Sequence, residues 1–315
     1  MSGGRTLVAG AIIVAALLPL LGTPYHVTVA VNLCVTLILT LSLNLVVGYS
    51  GQFHLSHAAF FGVGAYAAAI LAKTGGLSPW LCLPGAVAVV SLLAALIGIP
   101  VTRLRGLYLA VATLAFSLFV EVVVKQGDSL TGGGYGLQDI PPLVFFGERL
   151  QGKSYYVLAL GALAVVCGLI LNLLRSKLGR AIIASRDHPE AAAAAGISPA
   201  LIRVVVLVLA GAMAALGGWL HTFYHLNINT TLLSAELTFI WFFMVLVGGI
   251  GSMRGVVLGT VLLDLVPQAL GFATGQTILA VGVLMILVTL FAPRGLDGLI
   301  EDARAAVRRR RAHVG

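Results

Sequence analysis

Of 315 residues, 59% are hydrophobic and only 10% charged, against roughly 25% charged in a soluble domain. With a mean hydropathy of +1.05, the chain cannot build a water-facing surface, so a soluble fold is excluded and a polytopic α-helical membrane protein is expected. Its formal net charge is +8, which must be explained by the placement of basic residues before any anionic partner is considered. The apolar runs are continuous and separated by short polar or glycine-rich breaks, the pattern of helices in lipid.

In chain order, Arg5 precedes an apolar stretch, Leu7–Gly22. It resembles a signal-peptide core but lacks a small-x-small cleavage site before Pro24, so it reads as a retained first helix. Further spans are expected at His26–Val47, His57–Ala72, Pro79–Ile99, Leu107–Val124, Tyr155–Leu174, Leu201–Leu220, Leu237–Ile250, Val256–Gly271 and Ile278–Ala292. That makes about ten, each near the roughly 20 residues that cross a hydrocarbon core. A single membrane domain covers 1–315, with polar connections at 125–154 and 175–199 and a basic tail at 293–315. The cysteines Cys34, Cys82 and Cys167 lie singly in apolar runs and spell neither a disulfide framework nor a metal site.

With the N-terminus inside, fifteen of the nineteen Lys and Arg residues fall on the cytoplasmic side, and only Lys73, Lys125, Arg149 and Lys153 outside. This asymmetry favours an even span count with both termini cytoplasmic. It also accounts for the net charge. The Arg308–Arg311 run reads as a topology and lipid-headgroup anchor, and no nucleic-acid partner is implied.

Polar groups and glycines mix between two apolar runs at Asn44, Gly48, Tyr49, Ser50, Gly51, Gln52, His57, Gly62 and Gly64. Non-helical backbone at membrane depth survives only where protein buries it or it lines a watery cavity. These residues are therefore candidates for the lining of a translocation path. The competing reading is that the glycines let helices pack closely. A second cluster, Gly248, Gly249, Gly251 and Ser252, resembles the first and suggests an internal repeat of about five spans per half.

The 175–199 connection has the marks of a short helix: Pro189 in its first turn, Glu190 near the positive end of its dipole, five alanines, then Gly196. A charged lead-in and a small-residue face suit docking in a groove on a partner protein. At this point the chain resembles the LivM-type permease subunits of branched-chain amino acid ABC importers. Glu190, Ala191, Ala192 and Gly196 match the E-A-A-x-x-x-G core of ABC importer permeases. Ser176, Gly179, Arg180 and Ala181 match the S-x-x-G-R-A lead-in, Leu43–Gln52 the L-N-L-V-V-G-Y-S-G-Q stretch, and Gly248–Ser252 the G-G-I-G-S stretch. The fuller importer motif ends in I-x-L-P, where this chain has Val206–Leu209 without proline.

The resemblance implies an ABC importer permease fold and a cytoplasmic coupling helix that contacts the ATPase, with Gly179, Arg180, Arg186, Asp187, Glu190, Ala191, Ala192 and Gly196 as its coupling residues. It implies a heterodimer with a paralogous LivH-type permease, two ABC ATPase subunits and an extracytoplasmic substrate-binding protein, in a bacterial inner membrane. That binding protein would dock on outer loops such as Gly132–Gly136 and His221–Ser234. ATP and Mg would be used by the partner subunits, since this chain has no phosphate-binding loop and no cofactor site of its own.

No H-E-x-x-H or nucleophile-elbow pattern is present, so a transport subunit is expected and not an enzyme. Glu121, Glu236 and Asp264 sit in or beside apolar spans, where a carboxylate is costly. Asp264 and Glu121, as relay groups, leave open an ion-coupled secondary carrier. Within the importer class, a urea or short-amide permease is the nearest rival to one for branched-chain or related hydrophobic amino acids.

Overall fold

A computed structural model describes residues 23–101, 104, 106–269 and a few positions between 282 and 298. The expected first span, most of the expected last one, the 293–315 tail apart from 295–298, and Arg5, Arg103, Arg294, Arg304 and Arg308–Arg311 lie outside the described residues. The helices are α1 (Pro24–Asn44, continued by a π-helical turn at Leu45–Tyr49), α2 (His57–Lys73), α3 (Pro79–Val101), α4 (Leu107–Gln126) and α5 (Asp128–Thr131). They are followed by α6 (Lys153–Arg175), α7 (Lys177–Asp187), α8 (Pro189–Ala194), α9 (Pro199–His225), α10 (Ala235–Gly248) and α11 (Met253–Ala269). A two-stranded hairpin, β1 (Val144–Phe145) with β2 (Glu148–Arg149), lies between α5 and α6.

Five of these elements are long and apolar enough to cross a membrane: Pro24–Tyr49, Pro79–Val101, Leu107–Gln126, Lys153–Arg175 and Pro199–His225. They coincide with expected spans because each is an uninterrupted apolar run. The expected spans at His57–Ala72 and Leu237–Ile250 form shorter helices of 17 and 14 residues. At 1.5 Å per residue, α10 covers only about 21 Å, less than the roughly 30 Å of a hydrocarbon core.

α1 runs through the centre. Leu33, Ile38, Leu39, Leu41, Leu43 and Leu45 along it are all buried, as in a helix that is apolar all round and surrounded by others. α3, α4 and α6 stand at the periphery and expose Leu92, Leu96, Phe119, Val122, Val157 and Val165, the expected outfit of a surface that meets lipid or another apolar partner. α2 and α9 cross closely: a methyl group on Gly64 would stand 2.6 Å from the Cα of Ala215. Small residues are what allow backbones to approach this near without a polar core between them.

The 175–199 connection holds two helices where the sequence predicted one. Ser176 caps the extra helix, α7, by accepting a hydrogen bond from the Gly179 amide at 3.2 Å. Gly179 itself is pressed against the backbone of Leu173 and Leu174. The second helix, α8, starts at Pro189 as its composition indicates, and the chain leaves it through Gly196 at φ +82°, a left-handed conformation that glycine adopts without steric cost.

Candidate functional site

The three stretches singled out in the sequence meet at one end of the bundle. α1 does not end cleanly. In its last turn the Ser50 amide bonds to Leu45 O at 3.2 Å and the Gln52 amide to Val46 O at 3.1 Å. The first, spanning five residues, is the bond of a π turn, which often marks a functional site; the second spans six. Residues 50–56 then run without helix until α2 begins at His57.

Inside a bundle, the polar groups of such a segment need partners within the protein, and neighbouring elements supply them. The Leu55 amide donates to Thr113 Oγ1 of α4 at 3.0 Å, and the Ala58 amide to Thr238 Oγ1 of α10 at 2.9 Å. Gln52 Nε2 donates to Ser50 Oγ at 2.8 Å and to the Arg203 carbonyl at 3.3 Å. The Gly48 carbonyl accepts from Arg186 Nη1 at 2.8 Å.

The second glycine cluster closes on the first. Gly249 (φ +114°) and Gly251 (φ +80°) form the turn between α10 and α11, and the Gly251 amide donates to Asn44 Oδ1 at 2.9 Å. A methyl group on Gly48 would stand 2.5 Å from Gly251 N. Gly248 is pressed on Gly255, and Ser252 caps α11 by accepting from the Gly255 amide at 3.1 Å. Gly48, Gly64 and Gly248 thus lie in close packing, and Gly62 lies under the Leu233 side chain.

A second interruption falls earlier than the glycine cluster, between α9 and α10. There Thr230–Leu233 forms a 3-10 turn that reaches Gly62, midway along α2. The N-terminal turns of the two short helices, α2 and α10, therefore meet inside the bundle through the Ala58–Thr238 bond.

Around this meeting point lies a seam of buried polar side chains. His57 Nε2 shares a hydrogen bond with Ser42 Oγ at 2.7 Å, its ring edge faces Trp241, and its Nδ1 has no partner. His54 bonds Ser56 Oγ at 2.8 Å and stacks on Phe60. Thr260 Oγ1 donates to Thr40 Oγ1 at 2.9 Å, joining α11 to α1. Of this seam, sequence reasoning named Asn44, Ser50, Gln52 and His57 and missed Thr40, Ser42, His54, Thr113, Thr238 and Thr260. The signal was present, because every one of them interrupts or borders an apolar run. Among the described residues no group of three or more His, Cys, Asp or Glu side chains could hold a metal.

The residues expected to couple divide by exposure. Arg180, Asp187, Glu190, Ala191 and Gly196 are exposed, whereas Gly179 and Ala192 are buried within the chain. Arg186 turns back onto its own chain: besides Gly48, its Nε bonds Asp187 Oδ1 at 2.8 Å, and its aliphatic stem lies over Gly51 (φ +68°). Of the path candidates, Tyr49 is half-buried, Gly51 is exposed, and Asn44, Ser50, Gln52 and His57 are buried. Beside them Phe53 is 52% exposed, and its ring is tilted against Phe242 of α10.

At the opposite end, the two outer segments named for docking lie together. Leu137 and Ile228 exchange both backbone hydrogen bonds at 2.9 Å. Beside this bridge opens a cleft of about 670 Å³ lined by Tyr135, Gln138, Asp139, His225, Asn227 and Asn229 among others. Of the three acidic residues in or near spans, Glu121 pairs with Lys125 at 2.6 Å near the end of α4. Glu236 is exposed in the first turn of α10, where the helix dipole favours it, and Asp264 is half-buried in α11.

Residues 7–293 match the family model described as the permease component of branched-chain amino acid transport systems. The chain is 32% identical over 310 residues to the high-affinity branched-chain amino acid transport system permease protein LivM of Salmonella typhimurium, covering 90% of this chain and 73% of that one. The LivM protein of Escherichia coli is 31% identical over the same shares. A probable branched-chain amino acid transport permease protein LivH of Methanocaldococcus jannaschii is 28% identical over 294 residues, covering 85% of this chain and 89% of that one. No solved structure matches the chain.

Proposed function

The chain belongs to the permease family of branched-chain amino acid transport systems, and on that premise we propose that it is one transmembrane subunit of an ATP-driven importer for branched-chain or related hydrophobic amino acids. Its similarity to both LivM and LivH proteins supports a pairing with a paralogous permease. In this reading two ATPase subunits bind the face that carries α7 and α8, and they supply the ATP and Mg chemistry. A substrate-binding protein docks at the Leu137–Ile228 end.

The observation that carries the mechanism is the division of labour in the 175–199 connection. α8 presents Glu190 and Ala191 outward, as a helix that must enter another protein's groove would. The preceding helix α7 is held to the end of α1 through Arg186 and Gly48. Closure of the ATPases moves α8, and the broken segments between α1 and α2 and between α9 and α10 are where the bundle yields, because interrupted helices can change register without breaking a full hydrogen-bond ladder. The basic end is then cytoplasmic, with both termini on that side.

The test is uptake of labelled leucine, alanine and urea by the complete complex in proteoliposomes. ATP-dependent leucine uptake is expected. Urea uptake without leucine uptake would assign the chain to a short-amide system. Uptake by this chain alone under an ion gradient would make it a secondary carrier.

A further inference from the structure

The carbonyl of Gly48 stands at the end of a helix whose last turn is distorted. A terminal carbonyl has no intrahelical donor, and the Gln52 amide, which would reach Gly48 O in a continuing helix, bonds to Val46 O. The donor that takes its place comes from 138 residues away: Arg186 Nη1, at 2.8 Å.

Arg186 is the penultimate residue of α7, and α8 starts three residues later. Its Nε is held by Asp187 Oδ1, its stem covers Gly51, and Nη1 lies 3.6 Å from where a Cβ on Gly251 would be. One Arg186 side chain therefore bonds the carbonyl end of α1 through its guanidinium, whose donors form a fixed fork, lays its stem over the non-helical segment that follows, and brings Nη1 beside the turn joining α10 to α11. α7 is anchored behind it by buried Ile182 and by Gly179. A displacement of α8 thus has a stiff route to both glycine stretches.

We propose that Arg186 is the positioning residue that transmits movement of the Glu190 helix to the broken segment at Gly48–Gly51. This rests on the importer reading above, and the test separates the two. The reading itself stands on ATP-driven uptake by the wild-type complex and on its loss in Glu190→Lys; failure there removes the reading whatever Arg186 does. The proposal stands on the number of ATP hydrolysed per solute imported.

In Arg186→Ala and Arg186→Cys, counted per assembled complex, that number is expected to rise about tenfold, the scale of losing one charge-assisted hydrogen bond. Arg186→Lys, which can still reach the carbonyl, should recover part of the loss. A residue that served only folding would lower the amount of assembled complex and leave the ratio unchanged.

The geometry also allows the contact to be rebuilt covalently. A Cβ on Gly51 would lie 3.9 Å from the Cβ of Arg186, inside the roughly 3.5–4.5 Å window for a disulfide. The native cysteines are free and buried. Oxidised Gly51→Cys/Arg186→Cys complex should therefore regain coupling that Arg186→Cys lacks, and reduction should abolish it again. Gly51→Cys alone, with Arg186 present, is the control for strain at that position. If this control is itself uncoupled, Arg186→Lys against Arg186→Ala decides. Normal coupling in Arg186→Ala, or uncoupling in Arg186→Ala rescued neither by lysine nor by the disulfide, would overturn the proposal.

Discussion

The side-chain oxygen of Asn44 accepts the amide hydrogen of Gly251 at 2.9 Å, across 207 residues of sequence. This bond and the contact of Gly48 with Gly251 join the end of α1 to the α10–α11 turn. Gly48→Val has no room beside Asn44 and Gly251, and should force the two apart. Asn44→Leu leaves the half-buried amide of Gly251 without its acceptor, at a cost of about 1 kcal/mol. Both variants should lower the thermal unfolding midpoint of the detergent-purified protein. A midpoint within error of wild type for Asn44→Leu would show that the bond contributes nothing.

His57 and Ser42 should couple energetically but modestly. Hydrogen bonds between membrane helices average about 0.6 kcal/mol in double-mutant cycles, with a maximum near 1.7. A cycle of His57→Ala and Ser42→Ala, read by unfolding in detergent, should return a value in that range. Zero coupling would mean that the imidazole is held by its aromatic neighbours, Trp241 and Phe60, and not by the hydroxyl.

Thiol labelling distinguishes lining from packing along residues 50–57. In the described conformation, Phe53→Cys should react readily with a membrane-impermeant reagent presented from the basic end, while Ser50→Cys, Gln52→Cys and His57→Cys, all at buried positions, should stay inert. If turnover with ATP makes the three buried positions reactive, the segment lines the path in another state of the cycle. Inertness under turnover as well would leave close packing as their only role.

At the far end, Gly136 lies directly against the backbone of Ile228 and Asn229, so Gly136→Val should pry open the Leu137–Ile228 bridge. Insertion and basal ATPase activity are expected to persist, and stimulation by the binding protein to fall. Unaltered stimulation would place docking elsewhere.

The left-handed backbone at Gly196 sets its own test. Gly196→Ala introduces strain of about 1–2 kcal/mol at that one residue, yet meets no neighbouring atom. It should reduce uptake less than Gly196→Trp, which adds bulk to the exposed face beside α8. Equal effects would mean that backbone conformation, and not surface shape, matters at this position.

Much of the architecture was legible because a span such as Leu107–Val124 or Tyr155–Leu174 is a local signal, written entirely in consecutive residues. The start of α8 was legible for the same reason, through Pro189 and Glu190. α7 was harder to see because Ser185–His188 reads as a polar lead-in, and only the Ser176 cap marks its start. What could not be read was pairing at a distance. No periodicity relates Arg186 to Gly48, or Thr40 to Thr260, since each partner's need arises only once the fold has left a carbonyl or hydroxyl facing the other. The surroundings of the late glycine cluster were illegible for a related reason. Gly249 and Gly251 form a tight turn against Gly48, and the interruption at Thr230–Leu233 contains no glycine that would have announced it.

One flank of the bundle brings Gly51 and Phe53 to the surface on non-helical backbone, beside the partly buried ring of Phe242. Hydrocarbon tails cannot hydrogen-bond to such backbone, so this flank is at rest only against water or another polypeptide. Orphan copies of the subunit should consequently be recognised as unfinished by membrane quality-control proteases, and their half-life in the cell should lengthen when a matching permease is made alongside them.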